Sequence, residues 1–394
     1  MLSHIRISEI TEQHLLGLIE NKVPENHTLE FKRQTYGTND KDKKEFLKDI
    51  SAFANADGGD LIIGIAENND GVANSLAGMP ATEAGKEHER LEQIARNGLE
   101  PKIEFQSEEI QLEDGKTIFI FRIPASDIGP HRVKFAGTNR YYIRGSKTTD
   151  EPDVEKLRKM FLAPYLREQK IRSFVDERIK LVAGGNGPTQ LETDDWVSIH
   201  IIPLRKVNLA FGYGNLISQK LSKLFHPMRQ SGWSQTSNLD GILIKSTNYR
   251  MTHSYVQLFR DGSIEAVCCN WIRNESIDNL NAHGHGILNS LLSSTLQYIS
   301  QLENLDVKGP YLIFWSLKGF KGVRIEFENS SKTFNDSSPI DRATLRIPEV
   351  KIDTLDSIED AREKLRPCLD TLFQASGFER CKYFTEDGEW NPTR

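Results

Sequence analysis

A helical segment that runs through a double glycine into an unbroken apolar run is the feature that most constrains how this chain folds. Apolar residues recur at the spacing of one helical face at Phe46, Leu47, Ile50, Phe53 and Ala54. Gly58 and Gly59 follow, and glycine permits the left-handed backbone that ends many helices. Leu61–Ile65 is then apolar throughout, which is typical of a buried strand.

The rest of the chain predicts further strands and helices in no regular alternation, and this indicates an α+β protein. A length of 394 residues suggests two domains. We predict a first domain over residues 1–168 and a second, mixed α/β domain over residues 191–394. Residues 169–190 are predicted to be a helical connector and a glycine-rich linker, with the glycines at Gly184–Pro188.

Composition narrows the functional class. A net charge of −6 argues against a surface that is basic throughout, although a local basic patch remains open. The apolar runs fall far short of the roughly 20 residues that span a bilayer, so we expect a soluble, cytoplasmic protein with no membrane partner. The four cysteines show no CxxC spacing, and the sequence has no GxxxxGK[ST] loop for a nucleotide.

Four acidic residues lie near the ends of two predicted strands in the first domain. Glu30 lies in a strand candidate, Glu25 precedes it by five residues, and Glu67 and Asp70 follow the apolar run. Consecutive strands are often neighbours, which would bring these carboxylates together. Carboxylates at close range need a shared proton or a bound cation, and oxygen ligands suit Mg²⁺ or Mn²⁺. The alternative is that these acids are solvated surface residues.

A second charged segment, residues 128–149, contains no acidic residue. Its cations and aromatic rings are interleaved, a pattern that suits phosphate contacts and base stacking. The candidate nucleic-acid-binding residues are Arg132, Lys134, Arg140, Tyr142, Arg144 and Lys147. Lys32 shares a strand face with Glu30 and is a candidate for holding a scissile phosphate. The alternatives are an ordinary positive face and simple charge balance for Glu30.

Four segments, in order and spacing, resemble the AlbA_2 domain of Schlafen-like proteins, also called the divergent AAA-4 family. They are Glu25–Lys32, Ile50–Gly59, Leu61–Ile65 and Tyr141–Ser146. The resemblance covers roughly residues 15–165 and implies a mixed sheet with helices. For the Schlafen branch it also implies a metal-dependent endoribonuclease that acts on tRNA.

That branch uses two glutamates five residues apart and a third acid after the glycine-containing strand. The resemblance therefore implies Glu25 and Glu30 as the pair and Glu67 as the third acid. The family often has aspartate at the third position, so Asp70 remains an alternative to Glu67.

We therefore expect a metal-dependent endoribonuclease that cleaves tRNA or other structured RNA with Mg²⁺ or Mn²⁺. Glu25, Glu30 and Glu67 would hold the metal and, with Lys32, form the catalytic site. We expect the second domain to regulate the nuclease in phage defence or a stress response, by sensing a phage-derived or nucleotide trigger or by forming a homodimer. The alternatives are a transcription regulator that binds nucleic acid without cleaving it, and an ATP-binding protein.

Overall fold

The computed structural model describes residues 2, 5, 7–68, 70–126, 128–145, 148–205, 209, 221–248, 251–276, 279–329, 332–333 and 337–391. The chain divides into two units, Met1–Gln169 and Lys170–Arg394. About a third of the residues are helical and about a third are in strands, in mixed and antiparallel sheets, which confirms the α+β class. Among the helices in these ranges, none combines the length and the apolar character that a bilayer crossing requires.

Within the described residues, the first unit contains short strands and three helices of nine or more residues. The start of a long fourth helix follows them. The helices are α1 Glu12–Glu20, α2 Asp40–Ala54, α3 Ala81–Gly98 and the start of α4 Val154–Ala183. The strands are β1 Leu29–Lys32, β2 Gly58–Ile63, β3 Ile65–Glu67, β4 Ala73–Leu76, β5 Met79–Pro80, β6 Leu99–Glu100, β7 Gln106–Gln111, β8 Lys116–Pro124, β9 Arg132–Phe135, β10 Thr138–Tyr141, β11 Ile143–Arg144 and β12 Thr149–Asp150.

The central sheet of this unit has the order β1-β2-β8-β5, with β7 also paired to β8. Strands β1 and β2 are parallel, and β8 runs antiparallel to its neighbours. One face packs against α2 and α3, and the other face packs against α1. The register pairs Glu30 with Leu61 and Lys32 with Ile63, so Glu30 and Lys32 lie on the face that carries α2.

The glycine pair after α2 lets this helix and the sheet approach closely. Gly58 has φ +75°, in the left-handed region. A Cβ on Gly59 would lie 2.5 Å from the carbonyl oxygen of Thr28 and 2.5 Å from Cε1 of Phe53. A side chain at residue 59 would therefore push β1 or Phe53 away.

The second unit is built on one large antiparallel sheet with helices on both faces. Its helices are the remainder of α4, α5 Gly284–Asn304, α6 Ile358–Lys364 and α7 Arg366–Ala375. Its strands are β13 Trp196–Pro203, β14 Ser234–Ser237, β15 Gly241–Asn248, β16 Met251–Phe259, β17 Ile264–Cys269, β18 Ile272–Ser276, β19 Asn279–His283, β20 Tyr311–Lys318, β21 Arg324–Glu326, β22 Glu328–Asn329, β23 Lys332–Thr333, β24 Thr344–Arg346 and β25 Val350–Ile352. The large sheet has the order β14-β15-β16-β17-β13-β20-β24, with β25 also paired to β20.

The C-terminal half of α4 is part of the second unit. Ile171, Val175 and Ile179 pack against one face of the large sheet, and α5, α6 and α7 cover the other face. Arg178 donates to both carboxylate oxygens of buried Glu265 at 2.8 Å. Desolvation opposes the charge of Glu265, but hydrogen bonds from Arg178 and His200 lower its pKa to about 2. Residues 170–183, which the sequence indicated as a connector, therefore form a core element.

Candidate active site and nucleic-acid interface

The segment that follows Glu67, residues 70–73, contacts both Glu25 and Glu67. The N–H of Glu25 donates to the carbonyl of Gly71 at 2.8 Å, and Glu67 pairs with Ala73 across β3 and β4. A Cβ on Gly71 would lie 3.7 Å from Oε2 of Glu67 and 3.8 Å from Oε2 of Glu25. Each carboxylate therefore has one oxygen near the position where a side chain of residue 71 would begin, and the missing side chain of Gly71 leaves this position open.

The carboxyl of Glu25 lies in an environment that resists its ionisation. Its Oε1 accepts a hydrogen bond of 2.7 Å from the N–H of Phe31. Burial raises the pKa of Glu25 to about 7, and the negative charges of Glu30 and Glu67 add to this effect, although the hydrogen bond from Phe31 acts in the opposite direction. Asp70 is exposed in the turn, and its N–H is bonded to the side chain of Asn68. Of the two candidates for the third acid, Glu67 is thus the one whose negative charge acts on Glu25.

Glu30 is buried between two cations. Its Oε1 accepts a hydrogen bond from Nζ of Lys32, and its Oε2 forms an ion pair with Arg144. Arg144 also donates to the carbonyls of Asn26 and Leu29, at 3.2 and 3.4 Å. The side chain of Arg144 is only 2% exposed. The prediction that Arg144 contacts nucleic acid is therefore corrected. Its guanidinium is buried inside the domain, where it neutralises the charge of Glu30.

A fourth acid, Asp49, joins the site from α2 and was not among the predicted residues. Its Oδ2 lies 3.9 Å from Nζ of Lys32 and accepts a hydrogen bond of 2.6 Å from the hydroxyl of Tyr36. Burial raises the pKa of Asp49 to about 6. Desolvation opposes the charge of Lys32, but Asp49 and Glu30 together raise its pKa above the ordinary value. The signal in the sequence was an acid on the apolar face of the helix, one turn before Phe53.

The carboxylate oxygens of this site are only partly positioned to bind one metal ion together. In the described part of the chain, the side-chain oxygens of Glu25, Glu30 and Glu67 do not all lie within 4.8 Å of one another. Glu25 and Glu67 each have one oxygen close to Gly71, whereas Lys32 and Arg144 occupy both oxygens of Glu30. The donors fit Mg²⁺ or Mn²⁺ by type, and Glu30 becomes available only if Lys32 takes another partner.

The predicted basic segment forms the hairpin β9–β10, and its cations lie on different faces. Arg132 and Lys134 alternate with buried Val133 and both reach Oε2 of Glu100, at 2.6 and 3.1 Å. Arg140 is paired with Val133 across the hairpin, so it points to the opposite face, where it contacts Glu151. The hairpin is therefore less positive than its sequence suggests. Lys147 lies outside the described residues.

Asn55, at the C-terminal end of α2, attaches this hairpin to the helix. Its side-chain amide donates to the carbonyls of His131 and Tyr142, at 2.7 and 2.8 Å, and accepts from the N–H of His131 at 2.7 Å. Tyr142 is half-buried at this junction. Lys43 of α2 lies over the ring of Phe135, with 5.9 Å between Nζ and the ring centroid. Lys43 thus adds a cation to the hairpin surface that its position in the sequence did not indicate.

Residues 25–153 match the family model described as Schlafen, AlbA_2. This stretch is a Schlafen-like AlbA_2 domain. It accounts for about a third of the chain and contains the four acids, Lys32 and the hairpin. The match indicates a function related to nucleic acid.

Two solved structures are similar to parts of the chain. One is the N-terminal domain of an ATP-dependent DNA helicase RecG-related protein from Nitrosomonas europaea, with 25% identity over 37% of this chain and 94% of that one, at a TM-score of 0.27. The other is the DIP2311 protein from Corynebacterium diphtheriae, with 13% identity over 38% of this chain and 28% of that one, at a TM-score of 0.25. With TM-scores this low, neither likeness supports a conclusion about this chain. No curated protein matches it.

Proposed function

We propose that the AlbA_2 domain is a metal-dependent endoribonuclease that cleaves tRNA or other structured RNA. The observation that supports this most is the convergence of Glu25, Glu30 and Lys32 with Glu67 at one edge of the sheet. Arg144, three residues beyond the end of β10, binds Glu30 and so connects the cationic hairpin to this edge. A substrate backbone that follows the hairpin would then pass close to the carboxylates.

Two side chains have properties that phosphodiester cleavage requires. The raised pKa of Lys32 keeps its ammonium charged, and its side chain is 32% exposed, so it can bind a phosphate oxygen. The carboxyl of Glu25, with a pKa of about 7, can exchange a proton near neutral pH. We assign phosphate binding to Lys32 and proton exchange or cation binding to Glu25.

Glu25 and Glu67 would hold the Mg²⁺ or Mn²⁺ ion, and Glu30 would join them once Lys32 exchanges its carboxylate for a substrate phosphate. Such an ion, when bound, stabilises the charge of the displacement and lowers the pKa of a bound water. The requirement that Lys32 moves makes substrate and metal binding cooperative in this proposal. On the family resemblance alone, we also propose phage defence or a stress response as the setting, with the second unit as regulator or homodimer interface.

The second candidate is a regulator that binds nucleic acid without cleaving it. The observation that favours it is the saturation of Glu30 by Lys32 and Arg144, which is also how a purely structural buried glutamate is stabilised. In this case the hairpin alone would contact nucleic acid.

The deciding experiment is incubation of total tRNA with the full-length protein, with Mn²⁺ or with EDTA. We expect cleavage that needs the metal and falls at least about a hundredfold in Glu25→Gln, the effect of losing one group that acts on the transition state. Glu83→Gln, the same change at an exposed position of α3, should cleave like the wild type. Intact tRNA in every lane, together with salt-sensitive binding that survives EDTA and Glu25→Gln, would support the regulator instead.

A further inference from the structure

A second group of ligand-type side chains lies in the second unit, outside the family match. Glu192, His253 and Cys269 each offer one atom, and these three atoms all lie within 4.8 Å of one another. Nδ1 of His253 is 3.1 Å from a carboxylate oxygen of Glu192. Within the ranges that the structure describes, no other set of three histidine, cysteine or acidic residues meets this criterion. We propose that Glu192, His253 and Cys269 form a binding site for Zn²⁺.

The backbone places these side chains together through three separate segments. Strands β16 and β17 pair Ser254 with Cys268, so the next step of the antiparallel ladder sets His253 beside Cys269 on the sheet face that packs α4. Residues 190–192 run alongside β16. The N–H of Thr252 donates to the carbonyl of Gln190 at 2.9 Å, and the N–H of Glu192 donates to the carbonyl of Thr252 at 3.0 Å. Each ligand is thus held by main-chain bonds that do not depend on a metal.

The chemistry of the three donors selects the ion. One thiol, one imidazole and one carboxylate form a set that suits Zn²⁺, whereas Mg²⁺ and Ca²⁺ prefer oxygen alone. The thiol of Cys269 now donates toward the carbonyl of His253 at 3.2 Å. Binding replaces the S–H bond with an S–Zn bond and releases the proton to solvent, so the thiolate and the Glu192 carboxylate together balance the two positive charges.

The site is accessible from solvent on one side. The side chains of His253 and Glu192 are 16% and 28% exposed, whereas Cys269 is fully buried. Three protein ligands leave a fourth position for water or an added group, as in zinc sites that bind a reactant. The neighbouring Cys268 packs into the core on the opposite sheet face, so the two adjacent cysteines have different surroundings.

The test uses the full-length protein after removal of metals with a chelator. Zinc affinity is measured by competition with a coloured zinc indicator, and Co²⁺ is used as a spectroscopic substitute. We expect one Zn²⁺ per chain, and a near-ultraviolet thiolate-to-cobalt band that Cys269→Ser abolishes. Glu192→Gln should weaken zinc binding at least about tenfold, since losing even an outer partner of a metal costs 10–100-fold.

Two control variants establish whether the zinc binds at these three residues. Cys368→Ser removes another buried cysteine, and Glu83→Gln removes an exposed carboxylate of the first unit, so both should bind zinc like the wild type. If Cys269→Ser does not fold, Glu192→Gln decides the matter, because this residue is partly exposed. Absence of zinc binding in the wild type, a cobalt complex without the thiolate band, or equal affinity in Glu192→Gln would overturn the proposal.

Discussion

Replacing Arg144 by methionine tests whether its ion pair with Glu30 holds the candidate active site together. The two side chains are only 2% and 9% exposed, and Arg144 also satisfies two backbone carbonyls. Methionine retains most of the apolar stem but provides no donor and no charge. Removing one partner of a buried ion pair costs about 3–5 kcal/mol, because the other charge is left without compensation. Since Lys32 still contacts Glu30, we expect about 3 kcal/mol, the lower end of that range.

The assay is urea unfolding of the full chain followed by two probes. All five tryptophans, Trp196, Trp233, Trp271, Trp315 and Trp390, belong to the second unit, so their fluorescence reports on that unit. Far-ultraviolet circular dichroism reports on both units. With a slope of about 1–3 kcal/mol per molar urea, the loss predicts a dichroism midpoint lower by roughly 1–3 M and a smaller change in fluorescence.

Two further variants make this prediction refutable. Arg140→Met removes the same type of side chain from an exposed position of β10 and should change the midpoint little. The double variant Glu30→Gln/Arg144→Met should recover part of the loss, because no buried carboxylate remains unpaired. If Arg144→Met were as stable as Arg140→Met, the pair would not stabilise the domain and our account of Glu30 would be wrong.

Three other predictions address Glu25, the hairpin and the glycine pair. Burial raises the pKa of Glu25 from 4.5 to about 7. Between these two pH values, the folded state therefore holds a proton that the unfolded state has lost. Stability should therefore fall as the pH rises through 7, by no more than about 1 kcal/mol because the group is partly exposed, and Glu25→Gln should remove this dependence in unfolding at several pH values. Lys134→Gln should lower the slope of log affinity for tRNA against log salt by about 0.7–0.9 in filter binding, whereas Arg144→Lys should leave the slope unchanged. Gly59→Ala should cost about 1–3 kcal/mol in thermal unfolding, because the new Cβ meets the Thr28 carbonyl; an unchanged midpoint would contradict the close packing of α2 and β1.

The sequence was sufficient for features that depend on local pattern. The apolar stripe of α2 appears where periodicity indicated it, and β1 lies next to β2. The predicted strand Leu61–Ile65 is only partly right, because β2 already begins at the glycine pair and ends at Ile63, and Ile65 belongs to β3. The period of two along a strand correctly placed Glu30 and Lys32 on one face, and the structure brings their charged groups into contact.

Only the tertiary structure decided which charges meet. Asp49 and Arg144 lie far from Glu30 along the chain, and the hairpin cations find their acids at Glu100 and Glu151, on either side of the segment. A window of sequence shows charge, but neutralisation depends on distance in space and on burial, and both arise only when distant segments pack together. The same reason explains Glu192, His253 and Cys269, whose spacing along the chain shows no metal-site motif although two sheet strands and one loop set them side by side.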